Sequence, residues 1–234
     1  MTNKTLIDKL FGAGAHFGFK KSRRHPSVKP YLYGTKQGND IFDLEKSVEL
    51  IENAKTVISD AAKAGKTVLF VGTKDEVSRI VKDQAQGISC PYVTNRWIGG
   101  MLTNFSEIKK RINRLQILEA EKASGEQERK YTKKERVLIG REYDKLVFNF
   151  GGIQTLEKNP DLMVIVDAKH DTIALQEAND RKIPVIGVVS SDNNISNITY
   201  PIVINDALQA SVAVVLNELT TAYETGKSAA KASA

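Results

Sequence analysis

The chain of 234 residues holds 34 lysines and arginines against 28 acids, a formal net charge of +6, with 41% hydrophobic residues. That length and apolar content support one α/β core with an appendage and leave little room for two full-sized domains. No apolar run approaches the roughly 20 residues that span a bilayer, and the opening MTNKTLIDKLFGAGAHFGFKK is too charged for a secretory signal, so a soluble, cytoplasmic protein is expected.

The first element in chain order is a basic arm over 1–40, where eight cations (Lys4, Lys9, Lys20, Lys21, Arg23, Arg24, Lys29, Lys36) face two acids, Asp8 and Asp40. The local balance equals that of the whole protein. Prolines 26 and 30 are expected to hold the arm extended so that its cations follow a phosphate backbone, with Tyr31 and Tyr33 as stacking candidates. Each tyrosine has packing onto the body as its alternative.

From Ile41 to Ala64 apolar residues recur at three- and four-residue steps, an amphipathic helix ended by Gly65. Thr67 to Val71 predicts a strand and Lys74 to Ala85 a helix. The strand pattern returns at Pro91 to Thr94, Leu162 to Val166, Pro184 to Val189 and Ile202 to Ile204, with helices at Asp171 to Arg181 and Asp206 to Thr225. Five short, almost wholly apolar strands alternating with helices predict a parallel sheet covered on both faces. Cys90, the only cysteine, offers neither a disulfide framework nor a thiolate metal site and reads as a small core residue.

The alternation breaks between Asn104 and Phe150. Asn104 with Glu107 gives a capping-box-like start, and Phe105, Ile108, Ile112 and Leu115 step by three, four and three. Thr132 with Glu135 marks a second start, followed by Ile139, Tyr143, Leu146 and Phe150. Polar residues 123–127 turn the chain between them. This predicts an α-helical coiled-coil hairpin inserted at 104–150, reaching roughly 30 Å from the body. The α/β body then comprises 41–103 and 151–226, and the small, polar stretch 227–234 is expected to be disordered.

Charge follows this division. Segment 41–103 balances eight bases with eight acids, 104–150 carries twelve against eight, and 151–234 six against ten. A basic arm and a basic insertion on a neutral-to-acidic body point to a polyanionic partner, since each cation that neutralises a phosphate releases a counterion. The residues proposed for RNA are Lys20, Lys21, Arg23, Arg24, Lys29, Tyr31 and Lys36 on the arm, Arg96 in the loop Asn95 to Asn104, and Lys109, Lys110, Arg111 and Arg114 on the hairpin. Trp97, beside Arg96, either meets RNA or anchors the hairpin to the sheet.

Other sites fare worse. Gly12, Gly14 and Gly18 miss the dinucleotide spacing and follow no strand; Gly65-Lys66-Thr67 precedes its strand, the wrong order for a phosphate loop. Strand ends at Gly72-Thr73-Lys74, Asn95-Arg96-Trp97, Asp167-Ala168-Lys169 and Ser190 to Asn194 could line a ligand crevice. Yet His16, His25 and His170 lie far apart, and no strand end presents two carboxylates, so no catalytic, metal or cofactor-binding set is assigned.

Two longer signatures resemble a known family: Ile7-Asp-Lys-Leu-Phe-Gly-Ala-Gly-Ala-His-Phe-Gly18, and Pro160-Asp-Leu-Met-Val-Ile-Val-Asp167 with Asp171, Leu175, Glu177, Lys182, Ile183 and Pro184. With the Arg23-Arg24-His25-Pro26 block and the NRWIGGMLTN loop, they make the chain similar over its length to the bacterial small-subunit ribosomal protein two family. The resemblance implies a flavodoxin-like five-stranded domain with an inserted coiled-coil hairpin. It further implies no enzymatic activity and a structural place in the small (30S) subunit, with 16S rRNA contacted near the head–body junction. Neighbouring ribosomal proteins are implied as partners, among them the large first small-subunit protein.

Overall fold

The computed structural model describes residues 3–232. Its amino-terminal part is a folded unit: helix α1 (Asn3–Gly12), then an antiparallel sheet of β1 (Phe17–Lys20), β2 (Leu32–Lys36) and β3 (Asn39–Phe42) in the order β1-β3-β2. This differs from the extended arm expected over 1–40. The sheet runs on to Phe42, and Pro26 and Pro30 lie in a 3-10 turn spanning Pro26–Tyr31. A fixed proline φ suits the start of such a turn, and the His25 ring caps it by accepting from the Ser27 amide at 3.3 Å.

The body follows as α2 (Leu44–Lys63), β4 (Val68–Val71), α3 (Asp75–Gly87), β5 (Tyr92–Val93), α4 (Phe105–Ala123), α5 (Glu126–Lys130), α6 (Lys133–Phe150), β6 (Leu162–Val166), α7 (Thr172–Asp180), β7 (Val185–Val189), β8 (Tyr200–Val203) and α8 (Gln209–Ala232). The five body strands form a parallel sheet in the order β5-β4-β6-β7-β8, with Val68 opposite Leu162 and Met163 opposite Val185. Every residue of β4, β6 and β7 is buried, as strands covered on both faces require.

Period-two alternation divides these strands between two cores. Val68, Phe70, Leu162 and Val164 join Leu10, Ile51, Ile58 and Leu216 beneath α1, α2 and α8. Leu69, Val71, Met163 and Ile165 face the other way, onto Ala174 and Ala178 of α7, Trp97, Met101 and Leu102 of the loop after β5, and the base of α4 and α6. The helical pair is therefore rooted in the second core. Along α4, Ile108, Ile112, Leu115 and Leu118 are buried, and on α6 Leu146 and Phe150, with Ile139 and Tyr143 packed against them.

The two expected caps part company. Glu135 accepts from the Thr132 amide and hydroxyl, both at 2.8 Å, and closes a capping box. Asn104 makes no side-chain cap on α4; its Oδ1 accepts from Ser106 Oγ at 3.3 Å, while Glu107 pairs with Lys110. Gly125, at φ +69°, supplies the left-handed corner from which α5 starts.

Residues 227–232 differ from the disordered tail expected at 227–234: α8 continues through them to Ala232, and 233–234 lie outside the described residues. Alanines at 229 and 230 favour the helix. Gly226 lets α8 approach α2 so closely that a β-carbon there would strike the Ser59 backbone.

One ion pair closes the amino-terminal unit. The Asp40 carboxylate is fully buried, and Arg24 embraces it, Nε donating to Oδ2 at 2.8 Å and Nη2 to Oδ1, while Nη2 also donates to Thr35 Oγ1 at 2.9 Å. Arg24→Ala would leave a buried charge unpaired and should cost about 3 kcal/mol. Urea unfolding measures this, and a loss below about 1 kcal/mol, the level of an exposed pair, would contradict it.

Candidate nucleic-acid interface

The loop between β5 and α4 is fixed by one carboxylate. Glu177 lies on the core face of α7 beside Ala174 and Ala178, and it is buried. Its Oε1 accepts from Trp97 Nε1 at 3.1 Å and the Gly100 amide at 2.7 Å; its Oε2 accepts from the Leu102 and Thr103 amides at 2.9 and 3.1 Å and from Thr103 Oγ1 at 3.1 Å. Arg181, the residue that caps the end of α7, donates to the Thr103 carbonyl. Asn159 adds a bond to the Leu102 carbonyl at 3.2 Å. Trp97 is thus an anchor in the second core, which settles its side chain for packing, while Arg96 next to it is exposed.

Burial alone would raise the Glu177 pKa. The amides of Leu102, Thr103 and Gly100 and the Trp97 indole outweigh it and hold the carboxyl below its usual range. The sequence carried a signal for this: an acid three residues beyond Ala174, on the apolar face of a helix, must meet donors where it is buried.

The three-stranded sheet and the turns between β1 and β2 display five exposed cations of the arm. Lys20 on β1 and Lys36 on β2 both stand opposite Asn39 on the central strand, which separates them by roughly 10 Å. Lys21 follows immediately, its amide bonded to the Gly38 carbonyl at 2.9 Å. These three and Lys29 are exposed, and so is Arg23, whose guanidinium lies 5.9 Å from the Phe19 ring centre.

Two proposed residues sit differently from expectation. Arg24 is engaged with Asp40 and Thr35, so its charge already has an internal partner. Tyr31 is half-buried against the second core, whereas Tyr33 is 83% exposed. The reason is local: the β2–β3 register shifts between Leu32 and Gly34, and Tyr33 is the residue squeezed outward.

On the helical pair, Arg111 is exposed. Lys109 reaches back to the Glu157 carbonyl at 3.3 Å, and Lys110 pairs with Glu107 at the surface, a weak bond that a phosphate can replace. Arg114 is held in a two-pronged pair by Glu142 at 3.2 and 3.0 Å across the helices. Arg111 and Lys110 thus stand at the surface, while Arg114 already has a carboxylate partner in a partly exposed pair.

On the Lys74 side the strand-end crevice is filled by the chain itself, while a cavity of about 860 Å³ stays open between the ends of β6 and β7 and α7, lined by Ala168, Lys169, Thr172, Asn179 and Asn193. Lys74 pairs with Asp167 at 3.1 Å; Asp171 accepts from the Thr73 hydroxyl and amide at 2.7 and 3.1 Å. Asp206 lies buried beside them, its pKa pushed up to about 8 by burial and by the Asp167 charge. The amino-terminal unit crosses the rim, with the His25 amide donating to the Ser191 carbonyl at 2.8 Å and the Phe19 amide to Ser191 Oγ at 3.0 Å.

Fold and site together define a class: an α/β body that carries its cationic excess on two attachments. Residues 10–226 match the family described as Ribosomal protein S2. Small ribosomal subunit protein uS2 of Wolinella succinogenes is 38% identical over 230 residues, covering 98% of this chain and 83% of the relative. The proteins of that name from Sulfurimonas denitrificans and Dictyoglomus thermophilum are 39% and 40% identical, over 97% and 95% of this chain and 86% and 90% of theirs. The chain belongs to the ribosomal protein S2 family.

Glu177 makes a pH prediction. Because its folded pKa lies below the unfolded value, its stabilisation is complete above the ordinary glutamate pKa of about 4.3 and is lost as pH falls through the folded value. Glu177→Gln should cost about 3 kcal/mol at neutral pH, with the gap to wild type narrowing in acid. A pH-independent gap in chemical denaturation would contradict the role given to the charge.

Proposed function

We propose that this chain is a structural constituent of the small ribosomal subunit that binds 16S rRNA near the junction of head and body. The observation that carries the RNA reading is an exposed cationic set on the amino-terminal unit, Lys20 and Lys36 on its sheet and Lys21, Arg23 and Lys29 on the turns between β1 and β2, with the unit bonded to the body through Ser191. A cationic patch on a rigid platform neutralises phosphates without ordering a loop first, and the outward Tyr33 offers a ring face to a base or ribose. Arg96 at the foot of the helical pair and Lys110 and Arg111 along it extend the surface, so that two RNA elements are held at a fixed angle. Membership of the S2 family, whose curated relatives are named as small-subunit proteins, supports the same place.

The reading includes protein docking. Phe17, 49% exposed, and Gly34, next to Tyr33, both stand opposite Ile41 in the three-stranded sheet, and Phe11 is 62% exposed with its ring stacked on His16 at 4.5 Å. Exposed aromatics of this size suit a neighbouring ribosomal protein, the large first small-subunit protein among the candidates. The protein then resides in the cytoplasm as part of the ribosome and performs no catalysis.

Replacing Lys20, Lys21, Lys36 and Arg111 together by glutamine should weaken 16S rRNA binding and flatten its salt dependence by about 0.7 to 0.9 in log–log slope for each phosphate no longer neutralised. Titrations between roughly 50 and 200 mM salt read this directly. An unchanged slope with an unchanged fold would remove these residues from the interface.

A further inference from the structure

Helix α6 carries two stripes. One is the seam already described, Ile139, Tyr143, Leu146 and Phe150, turned to the second core. The other, Leu138, Arg141, Lys145 and Phe148, repeats the same three- and four-residue steps on the outside. Leu138 is 55% exposed and Phe148 57%, with Val137 at 53% beside them. Arg141 and Lys145 are exposed and make no ion pair among the described residues.

At the Phe148 end the stripe runs into a groove of about 470 Å³ between α6 and the α3–β5 edge, lined by Lys82, Tyr92, Asn95, Asp144, Val147 and Phe148. Lys82 is exposed there without an ion pair among the described residues, and Asp144 is the acid on this side. Large apolar side chains at both ends and a cationic surplus between them match neither a solvated helix face nor a phosphate backbone, which rewards charge and leaves Leu138 and Phe148 unused.

We infer that the outer face of α6, from Leu138 to the groove beside Phe148, docks an acidic amphipathic helix of a neighbouring protein. Leu138 and Phe148 would anchor the partner's apolar residues about 15 Å apart, ten residues along the axis, and Arg141, Lys145 and Lys82 would select its glutamates or aspartates. This face is distinct from the Lys110 and Arg111 positions on α4 proposed for RNA, so the helical pair would hold RNA on one helix and protein on the other.

The test uses the full chain and two synthetic amphipathic helices of about five turns, one with leucines flanked by glutamates and its counterpart with lysines, followed by fluorescence anisotropy. The acidic peptide should bind saturably and at least tenfold tighter than the basic one. Leu138→Ser with Phe148→Ser, both exposed positions, should lower its affinity at least tenfold and leave rRNA affinity unchanged. A photoreactive phenylalanine analogue at position 148 in assembled subunits should crosslink to an acidic stretch of a protein. No saturable binding, equal binding of both peptides, insensitivity to the double substitution, a self-dimer abolished by it, or crosslinks to rRNA alone would each overturn the inference. Loss of rRNA affinity in the glutamine variant of the preceding section is independent of all these outcomes.

Discussion

The Glu177 carboxylate fixes one of the two segments that join the sheet to the helical pair, the entry loop from β5 to α4. Five donors from Trp97, Gly100, Leu102 and Thr103 converge on its two oxygens, and the Thr103 carbonyl is held by Arg181 at the end of the same helix. A charged acceptor satisfied by several amides in a buried site gives a bond set that is strong and directional. The direction matters more than the strength. Helix α4 starts at Phe105, two residues beyond this knot, so the orientation of its cations relative to the sheet is set by α7.

The amino-terminal unit is tied down by a similar device, here a buried acid that captures a cation. Asp40 draws Arg24 inward and leaves Lys20, Lys21, Arg23, Lys29 and Lys36 outside. A buried pair of this kind gains little net energy after desolvation, but its geometry ties the segment after β1 to β2 and β3. Bonds from His25 and Phe19 to Ser191 then seat the whole unit on the strand ends. Lys74, Asp167, Asp171 and Asp206 fill one part of the site where an open α/β sheet would receive a small ligand, and a cavity of about 860 Å³ lies open beside them along α7.

Much of this was legible in the sequence because local pattern and tertiary burial agree there. Leu162–Val166 was expected and found residue for residue, since a wholly apolar, β-branched run can only be buried on both faces. Thr132 and Glu135 announced α6 because both partners of that cap lie within one turn. The failures share a different cause: their partners are distant in sequence. Nothing near Arg24 says that Asp40, sixteen residues on, will take its guanidinium, and FGFK and LYGTK lack the alternation that marks strands. Asn104 looks like a cap, yet Glu107 finds Lys110 instead. The alanines after Gly226 read as a tail because their helix depends on the fit of Gly226 against Ser59.

In the proposed role, Glu177 transmits the orientation of the body to the helical pair and so to the rRNA proposed as its partner. Backbone protection of 16S rRNA in particles assembled with Glu177→Ala, compared with wild type, tests it most directly. Protections due to the amino-terminal sheet should persist while those due to the helical pair fade. Retention of both sets, with amide exchange showing that residues 97–103 have been released, would contradict the account.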